Sequence, residues 1–486
     1  MLFNSLTFIA FLSICVVLFW TLKTKARIVM LFMSSLVFYG FWRWDFVLLM
    51  LFSTFLDYFI SLRIDSSKKQ SERQMLILTT LFVNIGLLVV FKYMFFITEN
   101  INSILGLFTS NLSIDSLKLI LPLGISFYTF QTISYSLDVY RGHCKPERNF
   151  FLYGAYVTFF PQLVAGPILR AGEVIDQLKV RKQFSIHFIL EGLKRILFGL
   201  FLKVVLADNI APLVDDAFSS NMDLFSAFDV FTISFLFGFQ IFFDFAGYSH
   251  IAIGCAKLMG IDFPENFNFP YIAKSFKDFW KRWHISLSSW IRDYLYLPIL
   301  GVEVVNKKSL SEGGIEVVDN KKQRNSSVAL FLTWAIMGLW HGANWTFVFW
   351  GVYHSFFIFC ERLIVKSGLI NKKLREKVGW FIVLPISMLS WIPFRAENLS
   401  DSFQLYGKLF RINNYSFYSL RENYFLIAAI LLLGFLVAYF ASHWKPRRSK
   451  LNTSIRFIVE VLVYSLMLFC VYIFLRPISQ FIYFQF

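Results

Sequence analysis

The chain is short of charge, short of cysteine and without an internal repeat, and each shortage excludes something. Only 16% of its 486 residues are charged, against 57% hydrophobic, a balance far from that of soluble globular domains. Its five cysteines (Cys15, Cys144, Cys255, Cys360 and Cys470) show no close pairing and mostly lie in apolar runs. That supports neither a disulfide framework nor a thiolate metal centre. No HExxH pattern occurs, and no histidine pairs with cysteine at metal-ligand spacing, so neither a metal site nor a bound cofactor is expected. Without a repeat, the signature of an inverted-repeat transporter is missing. The first apolar run, residues 6–20, has the length of a secretory signal but no basic segment before it and no small-residue cleavage site. It reads as a retained span.

What the chain does have is apolar length. Runs able to cross a hydrocarbon core of about 30 Å recur from end to end, and they are continuous rather than alternating, which excludes a membrane β-barrel. The reading is an all-α polytopic membrane protein with about 10–12 transmembrane helices. Spans are expected near residues 5–21, 28–41, 45–62, 75–97, 119–139, 188–206, 224–243, 328–341, 346–365, 379–394, 425–442 and 457–475. The net charge of +16 comes largely from basic clusters in the short connections. The positive-inside rule accounts for these with no nucleic-acid partner, and membrane lipid is the surrounding medium. Putting those clusters in the cytoplasm leaves the N-terminus outside.

Two stretches resist the simple pattern. VTFFPQLVAGPILRAG, residues 157–172, breaks an apolar run with Pro161, Gly166 and Pro167; it is either a re-entrant loop lining a cavity or a kinked span with an interfacial turn. The stretch from Ile261 to Pro298 carries too many charges and prolines for one crossing and is expected to form short, partly interfacial helices. The hydrophilic loop of residues 301–327 is expected to be cytoplasmic and mobile.

The chemistry concentrates between Phe279 and Trp345. FWKRWHISLSSWIRDYLYLP gathers Trp280, Lys281, Arg282, Trp283, His284, Ser288, Trp290, Arg292 and Asp293, and GLWHGANWTFVFWG sets His341 beside Trp340, Gly342 and Asn344. Ionisable groups at membrane depth are costly and commonly functional. Counted from Ser327, a helix carries His341 roughly 21 Å into the bilayer, where a neutral imidazole is suited to general-base work. Gly342 and Ala343 leave room for a ligand beside it. The alternative is a structural histidine bonded to a neighbouring helix. On a continuous helix, His284 would share a face with Trp280, Ser288 and Arg292, as a second catalytic group, as a phosphate contact with Lys281 and Arg282, or simply within an anchored interfacial helix. The other five histidines are assigned no chemistry. Asp244 and Arg170 are expected in functional or pairing roles; Ser126 and Gln131 read more readily as interhelical hydrogen-bonding groups.

With both histidine segments in view, the chain resembles the membrane-bound O-acyltransferase (MBOAT) family, in its bacterial branch of alginate O-acetylases and peptidoglycan O-acetyltransferases. LPLGISFYTFQ, FFPQLVAGPILR, FDFAGYS, WIPFRAENL and the closing FIYFQF carry the resemblance nearly end to end. It implies one membrane domain over residues 1–486, with N-terminal helices at 1–140, a catalytic core at 141–365 and C-terminal helices at 366–486, arranged around a central tunnel. It implies His341 as the essential catalytic residue, either activating an acceptor hydroxyl or carrying the acetyl group itself, and His284 as a second important residue. Trp280, Arg282, Trp283, Ser288, Arg292, Asp293, Trp340, Asn344, Asp244, Arg170 and Gln131 are then candidates for the substrate and donor tunnel. The implied donor is acetyl-CoA, used as substrate at the bacterial inner membrane. The implied acceptor is an extracytoplasmic SGNH-like O-acetyltransferase partner that esterifies a surface or cell-wall polysaccharide. The chain departs from the branch at His250, where an acidic residue is usual, and in the expanded loop after Leu300. Two other activities stay in view: D-alanyl transfer from a carrier protein to teichoic acid, and a transporter or channel with pore-lining histidines.

Overall fold

The computed structural model describes residues 1, 3–108, 113–163, 166–305, 316–318, 325–443, 453–477 and 481–482. The chain begins with α1 (Leu6–Thr21), α2 (Thr24–Gly40), α3 (Asp45–Ser66), α4 (Gln70–Leu88) and α5 (Met94–Leu105), the last two joined through a π-helical turn at Val89–Tyr93. Next come α6 (Ile125–Tyr140), α7 (Phe150–Thr158), α8 (Phe160–Leu163), α9 (Ala171–Lys179), α10 (Ile186–Leu200) and α11 (Asp208–Ser219), with a second π turn at Phe201–Ala207. The middle of the chain forms α12 (Ala227–Leu258), α13 (Phe276–Trp280), α14 (Ile285–Ile291) and α15 (Leu297–Leu300). The remainder forms α16 (Ser326–His341), α17 (Trp345–Ser367), α18 (Lys372–Leu389), α19 (Ile392–Arg395), α20 (Leu399–Leu409), α21 (Glu422–His443) and α22 (Thr453–Ile473).

Seven helical stretches among the described residues are long and apolar enough to cross a membrane, and three shorter apolar helices accompany them. The protein is therefore an all-α, multi-pass membrane protein. Ten of the expected spans fall on these helices with shifted ends; those expected at 28–41 and 119–139 form α2 and α6, which are not among them. The span expected at 75–97 runs from Gln70 to Leu105, and the one at 188–206 runs from Ile186 to Ser219. The span expected to end at 243 continues to Leu258, because Gly247, Ser249, Ala252 and Cys255 can lie against protein where lipid is not required. Asp244 consequently sits in mid-helix. In the expanded loop, Glu303–Val305 and Glu316–Val318 pair as antiparallel strands; residues 306–315 and 319–324 lie outside the described ones.

The helices group into two compact units. One comprises Met1–Leu193, Ala252–Pro264 and Arg292–Gln323; the other comprises Lys194–Ile251, Glu265–Ile291 and Arg324–Phe486. Within the first unit, α3, α4 and α6 share a polar seam. Asn84 Nδ2 donates to Asp57 Oδ2 at 2.9 Å, and Ser53 Oγ donates to Asn84 Oδ1 at 2.8 Å. Such bonds hold helices together where lipid gives no hydrophobic drive. The Pro161 region forms two short helices broken at Phe159, and Phe159 and Phe160 are fully buried. Irregular backbone at membrane depth is tolerated under that protein cover.

The second unit is built around the α16–α17 hairpin, whose connection is only Gly342–Asn344. The two backbones approach closely: a Cβ on Gly351 would stand 2.1 Å from the Trp334 carbonyl oxygen, and one on Gly338 would stand 2.2 Å from that of Phe347. Both obstacles are backbone atoms and cannot turn away. Gly351→Val is expected to push the helices apart and cost about 1–3 kcal/mol or more, read as a lowered melting midpoint of the detergent-purified protein. An unchanged midpoint would contradict this packing.

Candidate functional site

His341 is the last residue of α16, and the turn that follows is fixed by its own side chains. Asn344 caps α17, accepting from Thr346 N at 3.1 Å, and its Nδ2 donates to the Glu397 carbonyl oxygen at 3.1 Å. Both ends of the Asn344 amide thus bond to backbone, a helix-capping role. The room expected beside Gly342 is also occupied, since a Cβ there would come within 2.1 Å of the Phe347 ring. The His341 imidazole is 5% exposed. Trp340, Trp350 and Phe394 surround it with ring centroids at 4.8, 4.9 and 5.4 Å, each edge-on.

His284 does not lie on a continuous helix with Trp280, Ser288 and Arg292, as the spacing had implied. α13 stops at Trp280, and His284 takes a positive φ of 42° before α14 starts at Ile285. A non-glycine residue in that region carries strain, and such residues cluster at functional sites. The conformation is held by Asn266. Its carbonyl oxygen accepts from Ile285 N at 2.9 Å, and its Oδ1 faces Ser286 N at 3.3 Å, Ser286 Oγ at 2.9 Å and His284 Nδ1 at 3.1 Å. The Ser286 N–H can only donate, so the Asn266 atom facing it is the oxygen, and His284 Nδ1 must carry the proton. The lone pair then resides on Nε2, which is buried with no hydrogen-bond partner among the described residues. Burial pushes the imidazole down to about 3, so the ring is neutral at physiological pH. Its unprotonated Nε2 is held in a fixed orientation.

Aromatic rings connect the surroundings of the two imidazoles. Trp350 lies 6.1 Å from Trp391, which lies 4.8 Å from Trp283, the residue before His284. Trp280 packs edge-on against Trp334 at 4.6 Å. The polar residues of this stretch serve locally: Arg282 pairs with Asp278 at 2.9 Å and Ser288 Oγ donates to the Trp283 carbonyl at 3.2 Å. A polar cavity of about 530 Å³ is lined by Asn221, Asp223, Arg395, Glu397, Asp401 and Gln404, among others. Its wall shares residues with the segment that packs Phe394 against His341 and receives Asn344.

Asp244 has the pairing role. It meets Lys203 Nζ at 2.6 Å, and that ammonium also meets Asp208 at 2.8 Å. Lys203 lies in the second π turn and is 3% exposed. It escaped the sequence reading, although a lone lysine inside ILFGLFLKVVLA is a legible signal. Asp244 Oδ2 also accepts from Ile482 N at 2.7 Å, and Phe481 packs on Tyr248 and Phe245. Phe245 in turn stands edge-on to His284 at 4.6 Å, so residues 481–482 are seated on the wall behind that imidazole.

Arg170, Arg292 and Asp293 belong to the first unit. Arg170 Nη2 pairs with Asp293 Oδ2 and stacks on the Tyr294 ring, Arg292 Nε meets Asp293 at 2.7 Å, and Tyr294 Oη donates to Asp138 at 2.8 Å. Gln131 is buried on α6 in the same unit. Arg170→Ala would strand the buried Asp293 with only the half-exposed Arg292. We expect a loss of about 2–4 kcal/mol, within the range for breaking a buried pair, measured as a lowered unfolding midpoint; no shift would contradict the pairing.

Helices long and apolar enough to cross a membrane repeatedly, with buried imidazoles in an aromatic interior, define a multi-pass membrane protein. Comparison with known proteins places it further. The model of the MBOAT, membrane-bound O-acyltransferase family, matches residues 147–315 and 316–367. The probable alginate O-acetylase AlgI of Azotobacter vinelandii is 36% identical over 442 residues, covering 90% of this chain and 84% of that protein. The peptidoglycan O-acetyltransferase of Helicobacter pylori is 33% identical over 449 residues, covering 86% and 81%. The teichoic acid D-alanyltransferase of Streptococcus thermophilus is 30% identical over 296 residues, covering 56% of this chain and 68% of that protein. The chain belongs to the membrane-bound O-acyltransferase family, and it is an O-acyltransferase.

Proposed function

We propose that this O-acyltransferase takes an acetyl group from acetyl-CoA on the cytoplasmic side of a bacterial inner membrane. It passes that group to an extracytoplasmic SGNH-like partner, which O-acetylates a surface or cell-wall polysaccharide. The extent of similarity carries the choice of acetyl: the acetylase relatives align over 86–90% of the chain, the D-alanyltransferase over 56%. The basic connections support a cytoplasmic donor side and an N-terminus outside. His341, at the far end of α16 from Ser326, then stands towards the acceptor side.

In this reading His341 is the general base. One ring nitrogen takes the proton of the acceptor hydroxyl as its oxygen attacks the thioester carbonyl. The C–S bond breaks, and the proton leaves with the coenzyme A thiolate. A dry aromatic surround keeps water from competing for the acyl group. His284, with Nδ1–H fixed by Asn266, presents the Nε2 lone pair as the second base or orienting group. Asn266→Ala is expected to release that tautomer and lower kcat by about 10–100-fold, within the range for one positioned acid–base group; unchanged kcat would remove His284 from the proton path. The reading is tested by CoA release from purified protein with labelled acetyl-CoA and the partner. Turnover dependent on an acyl-carrier protein alone would transfer it to the D-alanyl class.

A further inference from the structure

We propose that His354 is a binding residue for the acyl donor, holding the donor's amide-bearing thioester arm on its way to His341. This rests on the acyl-transfer reading above and adds a residue to it. His354 lies one turn beyond Trp350 on α17 and is fully buried. Neither ring nitrogen has a hydrogen-bond partner among the described residues. Its ring is enclosed by Trp280 and Trp350, each at 4.9 Å, Trp334 at 5.6 Å and the parallel Phe279 at 6.1 Å. The indole N–H groups of Trp280 and Trp350 are buried without partners as well.

Three neighbouring polar groups left unsatisfied in one dry aromatic box are costly, at about 1–3 kcal/mol each, and native proteins rarely keep such groups without a reason. Packing alone does not supply the reason, because phenylalanine would fill the same aromatic box with no polar atom to bury. A neutral imidazole offers one donor and one acceptor, and each indole offers one donor. The complementary guest is a narrow chain that carries carbonyl oxygens and an N–H, which describes the amide arm of a coenzyme A or carrier-protein thioester. Trp350 touches both His341 and His354 at 4.9 Å. Trp334, beside His354, is seven residues or about 10 Å along α16 from His341, towards Ser326. A donor approaching His341 from the Ser326 end would therefore have to part the aromatic rings around His354.

The test compares His354→Phe and His354→Gln in the full-length purified protein, reading KM for acetyl-CoA, kcat and the melting midpoint. We expect His354→Phe to raise KM about tenfold, the worth of one hydrogen bond, with kcat less affected and the midpoint unchanged or higher. His354→Gln should stay within about threefold of wild type, because an amide restores a donor and an acceptor. Wild-type KM in His354→Phe, or a lowered midpoint in both variants with KM unmoved, would overturn the assignment and leave His354 a packing residue. If the wild type uses only an acyl-carrier protein, the same series is read with that donor, whose arm is the same. If the wild type uses neither donor, the acyl-transfer reading fails and this proposal fails with it.

Discussion

Replacing His341 by alanine is expected to lower acyl transfer by about 10²–10⁴-fold, the range for one well-placed general acid–base group, with the protein still folded. The expectation follows from position. The imidazole ends α16, is 5% exposed and is gripped edge-on by Trp340, Trp350 and Phe394. The ring can therefore neither swing away nor be replaced by solvent. His341→Gln keeps most of the volume and a hydrogen-bonding end but has no titratable nitrogen, so it should be nearly as inactive as alanine. Initial rates of CoA release, alongside melting midpoints, separate loss of chemistry from loss of fold. Substantial activity in the glutamine variant would mean that the ring only positions substrate.

The second large effect concerns stability. Lys203→Met is expected to cost about 3–5 kcal/mol, because it leaves Asp244 and Asp208 buried together with no cation between them. Asp244→Asn should cost less, about 1–3 kcal/mol, since Lys203 keeps Asp208 at 2.8 Å and the amide oxygen can still accept from Ile482 N. The double variant should be more stable than Lys203→Met alone, because it removes one of the stranded carboxylates. Unfolding midpoints of the three variants give the order. Equal losses in both single variants, or no recovery in the double, would contradict the triad as the organising contact of this region.

The class of the protein was legible from the sequence because membrane spans announce themselves by length, and the two histidine segments because ionisable residues are rare inside such spans. Asp244 and Arg170 were singled out for a functional or pairing role, and both are ion-paired. The shape of the His284 segment was not legible: helical spacing places residues 280, 284, 288 and 292 on one face, whereas a positive φ at His284 breaks that face. The cause is Asn266, eighteen positions upstream, and no local pattern reveals such a bond. Span ends were misjudged at Asp244 because hydropathy scores side chains against lipid, whereas α12 is covered largely by protein. Lys203 could have been found by the rule that singled out Asp244. His354 could not, since its significance lies in two unpartnered nitrogens and a ring of tryptophans from three helices.

The account's central claim is tested most directly by giving purified protein, with its extracytoplasmic partner, acetyl-CoA labelled in the acetyl group. We predict that CoA is released and label appears on the partner with wild type, and that both fall by at least about 100-fold with His341→Ala. Equal release and equal labelling by the two proteins would contradict it.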